Sequence, residues 1–279
     1  MAARPKSFPF RSRASSKRAS SGAIDPMTVR TSLKFHEEQI RGRLKPLLDA
    51  ASPNLVYLGE PDLSWLPDRS EAIELRAETI LLGSTVNAFL QLYAVYDNAI
   101  VTFKMSRRFP WRQDEIEKSR HLALVWFQFI SQCYLFKENA KLFANYYNRA
   151  VKVFHRDDET IDIASLLKRI EKNLGRQIHA RGSSMRKWYV EHESVEHLEA
   201  IDVVDATERV DSPLGDIGEH YDDAKALLGA EIQEAITFME QCLLGMLDAN
   251  IGVLIEIVGV FDSAVATLKM KAKASGATR

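Results

Sequence analysis

The chain has 279 residues with a formal net charge of −1, and 46% of its residues are hydrophobic, enough to build a substantial core. The balanced charge argues against a protein that binds nucleic acid through a generally basic surface. The charge is unevenly distributed. Residues 1–26 contain one acidic residue, Asp25, and six basic residues: Arg4, Lys6, Arg11, Arg13, Lys17 and Arg18. The rest of the chain is therefore mildly acidic.

Residues 1–26 are rich in Arg, Ser and Ala and lack the apolar stretch that a secretory signal requires. We interpret this segment as a disordered basic leader. An organelle transit peptide has a similar composition, and a true start at Met27 is a third interpretation. We expect residues 27–273 to form a single all-α domain and residues 274–279 to form a frayed tail.

The cysteines and the apolar runs indicate a cytoplasmic protein without a membrane span. Cys133 and Cys242 are far apart, and each lies in an apolar helical pattern, which predicts buried, reduced thiols. The longest apolar run, residues 251–268, is interrupted by Glu256 and Asp262. A helix needs roughly 20 predominantly apolar residues to cross a bilayer, so we predict that none of this chain does so.

Apolar residues recur at helical spacing along most of the chain. These patterns predict helices over the following ranges: 29–51, 68–105, 114–154, 161–180, 185–197, 200–208 and 219–273. Gly182, Ser183 and Ser184 favour a break between the fourth and fifth of them. Alternating strand patterns and internal repeats are not evident in the sequence. The fold class predicted is therefore all-α, a long-helix up-and-down bundle behind a disordered N-terminal leader.

The sequence offers little support for a metal or a cofactor. A di-iron bundle requires Glu-x-x-His, and no glutamate in the chain is followed by a histidine three positions later. His192 and His197 miss the His-Glu-x-x-His zinc spacing by one residue. Glycine-rich phosphate loops and nucleophile elbows are also missing from the sequence. We predict that the protein uses no metal and no cofactor.

Residues 175–197 concentrate the groups with the most chemical potential, arginines and histidines within one helical region. Metal-free RNA cleavage needs a base that takes a proton from the 2′-hydroxyl and a cation that stabilises charge on the phosphate oxygens. We predict Arg186 and His192 as the catalytic pair. The phosphate-binding residues predicted around them are Arg176, His179, Arg181 and Lys187.

The spacing of these residues constrains how they can act together. On one straight helix a six-residue offset leaves Arg186 and His192 about 120° apart, so they need a bend or a dimer groove to converge. Arg176 and His179 are aligned at i,i+3, and His179 and Arg186 are aligned at i,i+7 if the helix continues through Gly182. The alternative is that these cations form the solvent side of a helix whose apolar side enters the core.

The motif Arg186-x5-His192, placed after paired long helices, resembles the HEPN superfamily of helical RNA-cleaving and nucleotide-binding proteins. The resemblance covers roughly residues 73–247. It implies a helical bundle that forms a homodimer in which two Arg/His motifs face each other. It also implies that His192 is the catalytic base or acid and that Arg186 stabilises the phosphate. Lys187 follows the arginine in this chain, where the family often has a polar residue.

Two main functions follow from these observations. The first is a HEPN-like helical protein that binds RNA or a nucleotide, with metal-independent endoribonuclease activity as its catalytic form. The alternative is a non-catalytic α-helical scaffold or oligomerisation protein whose amphipathic helices bind partners. A third interpretation is a protein that its basic leader attaches to a membrane surface or to nucleic acid.

Overall fold

The computed structural model of the chain describes residues 38–43, 45–46, 49, 66, 69–107, 118–156, 159–187, 192–205 and 217–274. Five helices within these ranges have defined bounds: α1 Arg69–Ser106, α2 Lys118–Val153, α3 Ile163–Lys187, α4 Glu193–Asp205 and α5 Ile217–Ala274. Residues 38–43 are also helical. The predicted leader, the residues after 274 and most of the helix predicted at 29–51 lie outside the described residues.

The prediction of an all-α bundle of long helices is confirmed. The described residues contain helices and short connections and no strand. The bounds of α1, α2 and α5 agree with the predicted ranges to within a few residues, because each helix carries a long apolar pattern. With 58 residues, α5 is the longest of the five helices.

The region after residue 180 differs from the prediction. Helix α3 continues through Gly182 to Lys187, so the predicted break at 182–184 is wrong. The next helix spans Glu193–Asp205, so residues that the prediction divided between helices at 185–197 and 200–208 belong to one helix; residues 206–208 lie outside the described residues. Glycine in a helix interior costs only about 1 kcal/mol. The preceding turn is anchored to α2, because the guanidinium of Arg181 lies 4.0 Å from the centre of the Tyr134 ring. This contact stabilises the turn that glycine weakens.

Helix α2 lies at the centre of the bundle and contacts α1, α3, α4 and α5. Its buried side includes Trp126, Phe129 and Phe143, and Phe143 packs edge to face against Phe89 of α1 with 5.1 Å between ring centres. Buried side chains of all five helices belong to one contiguous apolar cluster. Such a cluster is the main source of stability in a helical bundle, and it fixes the positions of α3 and α5.

Local polar contacts define the connection between α2 and α3. His155 has a φ of 57°, the left-handed conformation, and the Arg156 backbone N–H donates to the carbonyl of Val151 at 2.7 Å, as in a Schellman helix end. Asp162 caps α3, since its carboxylate accepts hydrogen bonds from the backbone N–H of Ser165 at 3.1 Å and from its hydroxyl at 2.6 Å.

Helices α3 and α5 run antiparallel. Gln177 of α3 contacts Glu231 of α5, whereas the earlier Arg169 lies near the later Cys242, whose thiol it influences electrostatically. The helical residues 38–43 pack beside α1 and α5: Ile40 is fully buried, Arg41 donates a hydrogen bond to the Tyr93 hydroxyl, and Arg43 pairs with Asp248. One edge of α5 thus faces the N-terminal segment and another faces α3.

The two thiols are unpaired and buried, which confirms the prediction of reduced cysteines. Burial raises the pKa of Cys242 to about 11, and burial together with Glu231 raises the pKa of Cys133 well above its usual range. Both thiols are therefore protonated at neutral pH and are poor nucleophiles.

Two helices are long and apolar enough to cross a bilayer by length and composition alone. The stretches are Ser70–Ser106 and His220–Ala274, and the most apolar window of each is 50% and 28% buried within the bundle. Core helices of folded bundles pass the same test. The absence of a membrane span therefore stays a prediction.

Candidate functional site

The segment that the sequence singles out spans the last turns of α3 and the start of α4. Arg176, His179 and Arg181 lie on α3 with described side chains. Arg186 and Lys187 form its last residues, but the side chains of 183–187 are outside the described part of the chain. His192 immediately precedes α4, and its carbonyl accepts backbone hydrogen bonds from Val195 and Glu196 at 2.9 and 3.0 Å. The predicted site is therefore divided between two helices.

The outer side of α3 carries a compact group of basic side chains, which we call the basic face and which consists of Lys168, Arg169, Lys172, Arg176 and His179. At 100° per residue these five positions fall within a helical sector of about 100°. All five side chains are exposed, Arg176 by 73% and His179 by 76%. Lys168, Arg169 and Lys172 form no ion pair with any residue that the structure describes.

The carboxylate of Glu171, on the same helix, borders the basic face. Glu171 lies 2.6 Å from the Lys137 ammonium of α2 and 3.2 Å from Nε2 of His179. The hydrogen bond from Lys137, followed by the charges of Lys137 and His179, holds the pKa of Glu171 below its ordinary value despite opposing desolvation. Glu171 is therefore paired with Lys137 and His179 and does not neutralise the lysines and arginines of the face, which keeps a net positive charge.

Of the four predicted phosphate-binding residues, two lie on the basic face, one lies elsewhere, and the side chain of the fourth, Lys187, is outside the described part of the chain. Arg176 and His179 belong to the face, whereas Arg181 is stacked on Tyr134 towards α2. By helical register Arg186 follows Lys168 by eighteen residues, about five turns of 3.6, so the backbone of α3 brings residue 186 back to the same side of the helix.

The inner side of α3 meets a polar group inside the bundle, centred on Glu231 of α5. Gln177 donates a hydrogen bond from Nε2 to Glu231 Oε1 at 2.9 Å, and Glu231 Oε2 lies 3.5 Å from His192 Nε2 and 3.6 Å from Arg176. We call these four residues the Glu231 network. The Glu231 side chain is only 17% exposed, and that of His192 only 6%.

The charge of Glu231 is stabilised by its neighbours. Burial alone raises the pKa of this carboxyl, but the hydrogen bond from His192, the positive charge of Arg176 and the hydrogen bond from Gln177 outweigh burial and lower the pKa overall. Glu231 is thus a carboxylate held in place by three partners on α3 and at the start of α4. This network ties α3, α4 and α5 together.

His192 is packed inside the bundle rather than in an open groove. Its ring meets Trp126 of α2 edge to face, with 4.6 Å between ring centres. With Nε2 directed at Glu231, the second ring nitrogen, Nδ1, is buried and has no hydrogen-bond partner among the described residues. A carboxylate that orients one nitrogen and leaves the other unused is an arrangement found for histidine bases. The assignment of Arg186 and His192 as catalytic residues stays a prediction.

A cleft of about 410 Å³ lies between α3 and α5. Lys172, Asn173 and Arg176 line the α3 wall, and Glu234 and Phe238 lie on the α5 wall beside Glu231. The volume is within the range of roughly 300–1,000 Å³ that is typical of small-molecule sites. Lys172 and Arg176 belong to both the basic face and the cleft, so the two surfaces are continuous.

Other histidines and carboxylates do not assemble a metal centre within the described ranges. No group of three or more His, Cys, Asp or Glu side chains there has a geometry suited to a metal ion. His197 and His220 approach each other edge to face with 5.3 Å between ring centres. This contact joins α4 to α5.

Comparison of the chain with protein-family models, with curated proteins and with solved structures gave no match. The resemblance to the HEPN superfamily therefore stays a prediction.

Several site residues escaped prediction from the sequence. Lys168 and Lys172 precede Arg176 at intervals of four, a spacing that marks one helix face and that was available as a signal. Glu231 shares a helix face with the buried Leu228 and Ala235, and a charged residue on an apolar face is a second signal. The partners of Glu231 could not be predicted from local sequence, because Gln177 is 54 residues away along the chain.

Proposed function

We propose that this protein binds RNA through the basic face of α3. The observation that carries the proposal is the concentration of five exposed basic side chains in one helical sector, four of them lysine or arginine and three without an ion-pair partner in the described part of the chain. A chain of net charge −1 gains little from nonspecific attraction to polyanions. A local array of cations offers that attraction at one defined place.

The shape of the array favours a linear polyanion. Lys168 and His179 are eleven residues apart on one helix, which separates them by about 16 Å along its axis. A row of cations of this length can neutralise several consecutive phosphates and release their counterions, the main source of affinity for a nucleic-acid backbone. The adjoining cleft contains Phe238, and an aromatic ring beside a basic track is a common feature of proteins that bind single strands.

The proposal is tested by fluorescence anisotropy with a labelled single-stranded RNA and the full chain. The triple variant Lys168→Ala, Arg169→Ala, Lys172→Ala is expected to bind at least about tenfold more weakly, because three phosphate contacts are removed. The matched control Lys104→Ala, Lys152→Ala, Lys271→Ala removes three exposed cations from other helices. Equal affinities of the triple variant and the control would overturn the proposal and favour the scaffold function.

Cleavage of the bound RNA is a second candidate function, favoured by the geometry of His192. Glu231 orients Nε2, and Nδ1 has no partner among the described residues, so this nitrogen is available to accept a proton from a 2′-hydroxyl. In this account Arg186 supplies the cation that stabilises the charged phosphate. Because His192 is buried, the residues packed around it have to move apart before RNA can reach its ring.

The cleavage candidate is tested by incubating labelled RNA with the protein in the presence of a chelator. Shortened RNA is expected with the unaltered chain and intact RNA with His192→Asn and with Arg186→Ala. Circular dichroism of both variants distinguishes a lost base from a lost fold. Intact RNA with the unaltered chain leaves a protein that binds RNA without cutting it.

Light scattering of the same samples tests the homodimer that the HEPN resemblance implies.

A further inference from the structure

The cleft between α3 and α5 contains acceptors that the protein leaves unused. We infer that it binds a guanine base carrying a phosphate, either as a free nucleotide or as one residue of a single-stranded RNA. The inference deepens the proposed function, because the cleft shares Lys172 and Arg176 with the basic face and so rests on the same cations.

The first observation is an unsatisfied acceptor. Gln177 is 7% exposed, and its Nε2 donates to Glu231, but its Oε1 is buried and has no hydrogen-bond partner among the described residues. An unmatched buried amide oxygen costs about 1–3 kcal/mol, so such atoms in a folded protein usually have a partner to receive. Gln177 lines the cleft, and a small movement of its side chain would bring the buried Oε1 to a ligand with N–H groups.

The second observation is a free carboxylate. Glu234 lies one helical turn after Glu231, lines the same cleft, is exposed and forms no ion pair with any described residue. Glu231 differs, because its oxygens are engaged by Gln177, His192 and Arg176. The α5 wall thus presents one carboxylate with both oxygens open to accept hydrogen bonds.

The acceptors on these two walls select among the bases. The Watson–Crick edge of guanine presents N1–H and N2–H₂, two adjacent donors that match the two oxygens of one carboxylate and leave a hydrogen for the Gln177 oxygen. Adenine and cytosine place a ring nitrogen acceptor next to their amino group, and uracil places its N–H between two carbonyl acceptors. An acceptor-only carboxylate repels each of those edges.

The other lining residues suit the rest of a nucleotide. The Phe238 side chain on the α5 wall is partly buried and offers an apolar ring to the face of a base. Lys172 and Arg176 lie on the opposite wall, where their positive charges can meet the phosphate. The cleft of about 410 Å³ therefore contains acceptors and an aromatic ring for the base and two cations for the phosphate.

The test uses the full chain in two arms. In one arm GMP and AMP are titrated by calorimetry; in the other, a short oligouridine is compared with the same oligomer carrying one guanosine. A preference for guanine of roughly tenfold or more is expected, the discrimination that one good bidentate contact provides. A preference in the mononucleotide arm assigns the site to a free nucleotide, and a preference only in the oligomer arm assigns it to RNA.

The matched variants are Glu234→Gln in the cleft and Glu74→Gln on α1, both at exposed positions. Glu234→Gln is expected to lose the guanine preference, because an amide presents one donor and one acceptor, whereas Glu74→Gln keeps it. Equal binding of guanine and the other bases in both arms would overturn the inference. The proposed function still holds after that result if RNA binds and if the triple variant of the basic face binds RNA more weakly. If guanine nucleotides bind but RNA does not, the proposed function is wrong and the guanine site is retained.

Discussion

The two sides of α3 place their polar residues in opposite surroundings. On the outer side, Lys168, Arg169 and Lys172 are exposed and have no ion-pair partner among the described residues. On the inner side, the Glu231 network is largely buried, and each charge is close to another group of the protein. The comparison separates charges that stabilise the fold from charges that are available to a partner.

The physical reason for the difference is solvation. An exposed lysine keeps its water and costs the fold almost nothing, so it needs no internal partner. A buried carboxylate loses its water and is tolerated only where hydrogen bonds and opposite charge replace it. Arg176 takes part in both regions, since its guanidinium is 73% exposed and yet lies 3.6 Å from Glu231.

The largest effect is expected on the buried side, at Trp126. Trp126 is 1% exposed and packs against His192, so replacing it with alanine leaves a cavity beneath the Glu231 network. Trp126→Ala is expected to lower the free energy of unfolding by about 4 kcal/mol. Urea denaturation measures this change. A loss below about 1 kcal/mol, within the range of ordinary surface substitutions, contradicts the placement of Trp126 in the core.

The fold could be predicted from the sequence to a large extent, because apolar periodicity extends over dozens of residues in α1, α2 and α5. The end of α3 could not, since the Arg181 contact with Tyr134 that stabilises the turn before Gly182 joins residues of two different helices. Local propensity alone favoured a break there. Tertiary contact overrides propensity at this position.

The candidate site was only partly predictable. The concentration of arginine and histidine was evident, and Arg176 and His179 do lie on one exposed face. The interior position of His192 was not evident, because it depends on Trp126 and Glu231, which are distant along the chain. A sequence shows which groups are present, but their burial and their partners are set by how the helices pack.

The second effect compares two glutamates of α5 that are one turn apart. Glu231→Gln removes the charge that holds Arg176 and His192 and is expected to lower the free energy of unfolding by about 2 kcal/mol. Glu234→Gln, at an exposed position, is the matched control and is expected to change it by less than about 0.5 kcal/mol. Equal effects of the two substitutions contradict the distinction between network and surface.

The third effect is the loss of stability at acidic pH, which is expected in two phases. Burial, together with the charge of Lys225, lowers the pKa of His121 below its ordinary value of 6.5. The unfolded chain therefore binds the proton more readily, and stability falls as the pH drops below 6.5. Glu231 has a pKa lowered from 4.5, so its contribution is complete above pH 4.5 and disappears as the pH falls through the lower folded value.

Thermal unfolding followed across this pH range checks both phases. His121→Gln is expected to remove the first phase and to leave the second. Glu231→Gln is expected to leave the first phase and to weaken the second, to which the lowered pKa values of Glu171 and Asp162 also contribute. The surface control Glu234→Gln should show both phases unchanged. Identical pH profiles of the unaltered chain and His121→Gln argue against a buried, neutral His121.

The most direct test of the account is the salt dependence of RNA binding. For single strands the slope of log K against log salt concentration is about −0.7 per phosphate neutralised. The slope of the triple variant Lys168→Ala, Arg169→Ala, Lys172→Ala is expected to be shallower than that of the unaltered chain by about two. The control Lys104→Ala, Lys152→Ala, Lys271→Ala should keep the original slope. Parallel slopes for all three proteins contradict the claim that RNA lies along the basic face of α3.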